Sequence, residues 1–345
     1  MKVILISPFT EFSKGGISTH IRNFKKYYPL NGVDCDVYVL SNNLFKSMFE
    51  IFRLSLSNYD IIHVHSSFFS VFCLSIAKVF TSSKYFFTFH TQPENNYTRP
   101  CFTNYIKYLL LEFILNNYFF ITTVSESIIK NYNSKVGLKL YNYKVIHSGV
   151  DFVELLHYPT RSQSKNIKII SIGLFEWDWK VQGHLLALKA FKRLKIEFNN
   201  ISFSIIGSGS KEQIILNEIN SLNLSKSVQI HNNVSEVQKL LIHGDIYLHT
   251  GLNEGCSLAI LEARSLNLCT IVVDIGGNNE LIENNVNGIL CEPSSDGIFI
   301  SLRKMILDEV SLIRLKKDSI IGISNFKWIN IIQEYLNIYK KNLDE

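Results

Sequence analysis

At 345 residues, 46% apolar and 19% charged, the chain is longer than one hydrophobic core ordinarily requires and lacks the polar, charge-dense composition of a disordered protein. Two folded domains are expected. The net charge of +5 falls within residues 1–155, while residues 156–345 balance, and so small an excess, with no RNA- or DNA-binding motif, gives no ground for a nucleic-acid partner.

The first residues, MKVILISPF, enter a strand-like apolar run and meet polar residues too soon for a secretory signal, which reads as the opening strand of a cytosolic domain. The longest apolar stretches, 68–80 and 105–124, are broken by Lys78 and by Lys107, Glu112, Asn116 and Asn117, so no membrane-spanning helix is expected. The six cysteines show no CxxC and no Cys/His spacing suited to zinc, and read as buried free thiols.

Short β-branched and aromatic runs alternate with helical patterns along the whole chain. Strands are expected at 3–7, 36–40, 61–65, 85–89, 119–124 and 144–147, then at 167–172, 202–206, 228–230, 246–249, 270–273 and 288–290. Several are apolar on both faces, as buried parallel strands are. Strand and helix alternating twice over predict an α/β protein of two doubly wound, Rossmann-like domains, facing each other across a cleft. The polar stretch HYPTRSQSKN at 157–166 carries Pro159 and reads as the linker, between a domain at 1–156 and a second at 167–324. Residues 325–345 hold an amphipathic helix, apolar at Ile329, Ile332, Tyr335, Leu336 and Tyr339, expected to return toward the first domain. Another amphipathic pattern, at 42–56, repeats Phe45, Met48, Phe49, Phe52 and Leu56 at helical spacing beside Lys46 and Arg53. An ordinary core-facing helix is favoured there over one resting on an anionic membrane.

Ligands of open parallel sheets sit beyond the carboxyl ends of the strands. After the first strand, Gly15 and Gly16 permit close backbone approach to an anion, and a plain turn explains them as well. His90 ends the fourth strand, where an imidazole can orient or deprotonate a hydroxyl; His63 and His65, two apart on one strand face, read as structural. Lys180 closes the loop after the seventh strand and can offer a point charge to a phosphate. Gly207 and Gly209 follow the eighth.

After the strand at 246–249 comes NEGCSLAILEAR. Ser257 is a plausible N-cap, so the N–H groups of Cys256, Ser257 and Leu258 would lie at a helix start with the positive end of the dipole behind them, which suits a diphosphate. Glu254 precedes that start and Glu262 lies about a turn inside it. Carboxylates on both sides of a diphosphate suit the hydroxyls of a sugar and of a ribose; an exposed helix residue is the plain alternative for Glu262.

Taken together, GGISTH, TFHT, TVSES, VIHSGVD, IIGSGS, NEGCSLAILEA and GGNNELIENNVNGILCEP resemble the retaining glycosyltransferases of the GT-B fold, specifically the large family 4 of bacterial polysaccharide and lipid-linked glycan transferases. The resemblance implies transfer of a hexose or N-acetylhexosamine from a nucleotide sugar, UDP-linked first and GDP-linked next, to a saccharide acceptor. It implies retention of anomeric configuration, no cofactor and no metal. It assigns Glu254 to the donor sugar, Glu262 to the ribose and Lys180 to the phosphates, with His90, Glu254 and Lys180 as the catalytic residues. Gly15, Gly16, Gly173, Gly207, Gly255, Cys256, Ser257 and Leu258 are assigned to the donor. The family's arginine after the first glycine is replaced: Leu174 follows Gly173, and Lys-Gly becomes KVQG. The basic, aromatic first half suits a polyprenyl-diphosphate-linked saccharide at the inner membrane face, with the protein cytoplasmic or peripheral there. A non-catalytic partner protein that binds sugar nucleotides, a GT-B UDP-GlcNAc epimerase and a glycoside hydrolase using the two glutamates are the alternatives.

Overall fold

The computed structural model describes residues 1–13, 15–41, 43–93, 102–151 and 166–344. The chain divides into two compact units, Met1–Gly149 with Trp328–Glu345, and Val150–Lys327. The division falls after Gly149, ahead of the linker expected at 157–166, which lies outside the described residues except for Asn166.

The first unit runs β1 (Lys2–Ser7), α1 (Gly16–Tyr27), β2 (Asp34–Val39), α2 (Leu44–Ser55), β3 (Ile61–His65), α3 (Phe68–Ala77), β4 (Lys84–Phe89), α4 (Phe102–Tyr118), β5 (Phe119–Thr123), α5 (Glu126–Asn131) and β6 (Tyr143–Val145). The second runs β7 (Ile167–Ile172), α6 (Asp178–Glu197), β8 (Ile201–Ile206), α7 (Glu212–Ser221), β9 (Val228–His231), α8 (Val237–Leu241), β10 (Ile246–His249), α9 (Leu258–Ser265), β11 (Cys269–Val273), β12 (Ile289–Cys291), α10 (Ser295–Leu307) and α11 (Glu309–Asp318). The closing helix, α12 (Trp328–Asp344), belongs to the first unit.

All twelve expected strands are present, shifted by a residue or two at β2, β6 and β12, in two parallel six-stranded sheets ordered β2-β1-β3-β4-β5-β6 and β12-β11-β10-β7-β8-β9. Because both faces of a parallel sheet are covered by crossover helices, β1, β3, β4 and β11 are buried along nearly their whole length. In β10 the alternation splits the side chains between two cores. Ile246 and Leu248 join the layer under α6 and α10, and Tyr247 joins Ile260 and Leu261 of α9 on the other face.

α12 buries Trp328, Ile331, Ile332, Tyr335, Leu336 and Tyr339, while Ile329, expected on its apolar face, is exposed. A chain of hydroxyls and one imidazole ties it to the sheet. Tyr28 donates to Tyr339 at 3.1 Å, Tyr339 meets His63 Nδ1 at 2.5 Å, His63 Nε2 meets Thr88 at 2.6 Å, and Thr88 meets Thr122 at 2.5 Å. His63 is thus structural, as expected from its strand position.

α2 reverses its expected orientation. Ser47, Ile51 and Ser55 form its buried side, whereas Phe45 is 81% and Phe49 67% exposed, with Met48 and Leu56 also outward. Asn43 caps the helix by accepting from the Lys46 N–H at 3.1 Å, and Ser47 bonds Ser41, so small polar contacts hold the inner face. The apolar spacing signalled a helix correctly but not which side the sheet would cover.

Arg264 of α9 is fully buried and spans three carbonyls, Ser319 at 2.9 Å and Leu281 and Ile321 at 2.6 Å each. Burial lowers its pKa to about 10, so it stays charged at neutral pH. Arg264→Met fills similar volume but strands three acceptors. Urea denaturation of this variant is expected to show a loss of about 3 kcal/mol or more from the second unit.

Candidate active site

In the second sheet β7 and β10 are neighbours, and the chain order runs outward from them in opposite directions. This is the topological switch point, where the carboxyl ends of two strands diverge and leave a crevice. Gly173 after β7, Lys180 and His184 from α6, and His249, Thr250 and Glu254 at and beyond the end of β10 close on one another there and leave no room for even a water molecule between them. The Lys180 ammonium is 3.0 Å from Glu254 Oε1. Residues on separate strand-loop-helix segments therefore meet in one ion pair, both side chains mostly withdrawn from solvent. Lysine in the first turn of a helix works against the helix dipole, and the Glu254 carboxylate offsets that.

The loop bearing Glu254 is held from behind. Gly277 N–H donates to the Glu254 carbonyl at 3.0 Å, and Asn278 Nδ2 donates to the Gly251 carbonyl at 2.9 Å. The Gly-Gly-Asn-Asn segment thus supports the glutamate loop. Helix packing is equally tight in front: a Cβ at Gly183 would fall 1.9 Å from the Thr250 carbonyl oxygen, so only glycine lets α6 bring Lys180 this close to the loop.

Ser257 stands at the N-cap of α9 with extended backbone and makes no side-chain cap bond. Leu258 begins the helix, whose first-turn N–H groups lack an i−4 carbonyl. Glu262 is half-buried one turn in, and burial pushes its carboxyl up to about 7. Gly255 is buried and Cys256 half-buried in the same turn. Lys180, Glu254 and Gly173 converge directly. Gly207 serves a different contact, since a Cβ there would lie 1.9 Å from the Gly173 carbonyl oxygen: its bareness lets the β7 and β8 loops touch. Lys180 is the cation among these crevice residues, and Leu174 brings none.

His90, Gly15 and Gly16 belong to the first unit. Gly15 has φ 129°, a conformation that favours glycine, and nothing lies within 4 Å of a Cβ built on either glycine. His90 Nε2 is 2.8 Å from His65 Nδ1, and its backbone N–H donates to Ser66 Oγ at 3.2 Å. Ser66 is held at φ 54°, a strained turn at the carboxyl end of β3. Desolvation lowers the pKa of His90 to about 3 and drives those of His20, His63 and His65 well below their ordinary value, keeping all four imidazoles neutral. Asp34 and Asp36, an Asp-x-Asp pair, lie in edge strand β2, where Asp36 accepts from the Tyr59 hydroxyl at 2.7 Å.

Sequence reading did not find His184, Tyr247 and His249. A signal existed for the last two: in DIYLHTG they alternate onto one face of a strand that ends at the glutamate loop.

Two doubly wound parallel units, the second with a lysine and a carboxylate paired at its switch point, have the architecture of the GT-B class. Residues 154–319 match the family model of Glycosyl transferases group 1, and residues 43–154 that of Glycosyltransferase Family 4. With most of its length matched, the chain belongs to the GT-B glycosyltransferases of family 4.

Among curated proteins it is 30% identical, over 167 residues, to the UDP-Gal:alpha-D-GlcNAc-diphosphoundecaprenol alpha-1,3-galactosyltransferase of Escherichia coli, covering 47% of this chain and 41% of that one. It is 26% identical over 189 residues to the phosphatidylinositol N-acetylglucosaminyltransferase GPI3 subunit of Saccharomyces cerevisiae, covering 52% of this chain and 40% of that one. The matched segments span less than half the length of these relatives. Among solved structures, Anabaena HepE in complex with UDP superposes with a TM-score of 0.79 at 16% identity, over 99% of this chain and 100% of that one. Sucrose-phosphate synthase from Thermosynechococcus elongatus gives 0.81 at 13% identity, over 100% and 99% respectively. These likenesses speak to the fold.

Proposed function

We propose that the protein transfers a hexose or N-acetylhexosamine from a nucleotide sugar, a UDP-sugar before a GDP-sugar, to a lipid-linked saccharide in cell-surface polysaccharide biosynthesis, with retention of configuration. The observation that carries this reading is the Lys180–Glu254 pair at the switch point, in the segment that leads into the N-terminus of α9. As the glycosidic bond breaks, negative charge grows on the departing diphosphate. A helix terminus already in place and an ammonium that turns to the diphosphate when donor binds would stabilise it. In the free protein Glu254 neutralises Lys180; a bound diphosphate would take over that role and leave the carboxylate to the sugar hydroxyls. Glu262 would take the ribose, and His90 the acceptor side. The E. coli relative, by its name, uses UDP-galactose and a diphosphoundecaprenol acceptor, which favours a UDP-sugar and a lipid carrier.

No described helix is long and apolar enough to cross a membrane. The outward side of α2, with Phe45, Met48 and Phe49 beside Lys46, and of α4, with Ile106, Leu109, Leu110 and Phe113 beside Lys107, suits peripheral contact with an anionic bilayer, the cations near the headgroups and the apolar side chains below them.

A thermal-shift panel of UDP-, GDP- and ADP-sugars tests the donor, with selective stabilisation by UDP-sugars expected. In the same assay Glu262→Ala should lose most of that stabilisation, while Glu254→Ala should keep binding and lose turnover with a lipid-linked acceptor. Wild-type transfer in both variants would remove this segment from the donor site.

A further inference from the structure

Beneath the Lys180–Glu254 pair lies a second layer of polar groups that the proposed chemistry does not yet use. His249, the last residue of β10, is buried, with Nδ1 3.1 Å from the Tyr247 hydroxyl. Its Nε2 has no hydrogen-bond partner and faces Glu254 Oε1, the oxygen that Lys180 also holds, at 3.7 Å. Gly251 makes this approach possible. A Cβ there would lie 2.8 Å from Glu254 Cγ, 2.9 Å from its Oε1 and 3.0 Å from His249 Nε2, so the missing side chain is the space in which carboxylate and imidazole meet.

The tautomer follows from charge. A bare Nε2 lone pair would repel the carboxylate, so Nε2 carries the proton and Nδ1 accepts from the Tyr247 O–H. Desolvation keeps the ring neutral, lowering its pKa to about 4. The buried tyrosine lies within the field of both Glu262 and Glu254, whose negative charges add to burial in holding its proton on, so it remains a donor to the histidine.

We propose that Tyr247 and His249 form a positioning pair that keeps the Glu254 carboxylate aimed when Lys180 turns from it to a bound diphosphate. The inference rests on the donor-site reading above and supplies what that reading lacks. As the ammonium moves to the diphosphate its hold on Oε1 weakens; a shift of under about 1 Å brings Nε2–H into hydrogen-bond range and fixes that oxygen in its place.

Steady-state transfer by His249→Phe, His249→Gln, Tyr247→Phe and Glu254→Ala, with the folded fraction measured by circular dichroism, tests this. Loss of a hydrogen bond to a charged group is expected to lower kcat of His249→Phe about ten- to a hundredfold, with donor KM within about twofold. His249→Gln, whose amide can still donate, should recover to within about fivefold of wild type, and Tyr247→Phe, which frees the tautomer without changing shape, should fall by about three- to tenfold. A merely structural role would reduce the folded fraction and leave kcat per folded molecule unchanged, and so would overturn the proposal. Wild-type kcat in folded Tyr247→Phe or in folded His249→Phe, with Glu254→Ala inactive, overturns it alone. Full activity in Glu254→Ala overturns the Glu254 assignment and this inference together, and full activity in Glu262→Ala as well overturns the donor-site reading.

Discussion

Lys180→Ala is expected to lower the rate of sugar transfer by about two to three orders of magnitude, the usual effect of removing a preorganised group that stabilises developing negative charge. Donor affinity should fall as well, because the ammonium meets a diphosphate that is already charged in the ground state. The variant also removes the ammonium 3.0 Å from Glu254, so the carboxylate's negative charge then acts on the phosphates. Lys180→Ala combined with Glu254→Gln should therefore bind donor more tightly than Lys180→Ala alone while remaining slow, a pattern that separates repulsion from lost catalysis. Lys180→Arg keeps the charge on a different geometry and should retain partial activity. Wild-type kcat in Lys180→Ala, measured by nucleotide release at saturating donor, would show that the leaving group is stabilised elsewhere.

A second large effect is expected on acidification. His20, His63, His65 and His90 are packed ring against ring in the first unit, with the His20 ring 4.8 Å from His90 and 4.9 Å from Trp328. His20 has no hydrogen bond at either nitrogen. In the unfolded chain these imidazoles titrate near about 6.5; in the folded unit burial holds them neutral, His90 down to about 3. Below that unfolded value the unfolded chain therefore binds more protons than the folded one, and stability is lost as pH falls. For His90, held down to about 3, the loss is about 2 kcal/mol by about pH 5, a sizeable part of a domain's stability of about 5–15 kcal/mol, and His20, His63 and His65 act in the same direction. The second unit has two such histidines among its described residues, His184 and His249. Urea midpoints at pH 7.5, 6 and 5, followed by Trp328 emission, should show the first unit failing first. His20→Phe removes one proton site without removing a hydrogen bond and should shift the transition to lower pH. Constant stability of this unit from pH 7.5 to 5 would refute the account.

How the site was legible differs from residue to residue. Glu254, Ser257 and Glu262 could be placed around a helix start because a polar turn followed by an apolar run marks a helix N-terminus locally, and α9 begins at Leu258 as that pattern requires. Lys180 could be marked as a phosphate candidate, but its pairing with Glu254 could not, because it depends on β7 lying beside β10. His249 ended an expected strand and still passed unnoticed. Its meaning comes from Gly251, whose missing Cβ lets the glutamate reach it. Gly207 packs against the Gly173 carbonyl, a contact its sequence pattern did not reveal, for glycine patterns do not distinguish an approaching ligand from an approaching carbonyl.

By itself the sequence determined the twelve strands, the helices between them and the class of fold, since period-two and period-3.6 hydrophobic patterns, caps and breakers act over a few residues. The tertiary structure alone decided which surfaces are covered and which polar groups meet. It turned the aromatic side of α2 outward, put Tyr339 onto His63 across 276 positions, and brought Lys180 to Glu254. Burial, and with it desolvation and pKa, is a property of neighbours distant in the chain, and strand adjacency selects those neighbours.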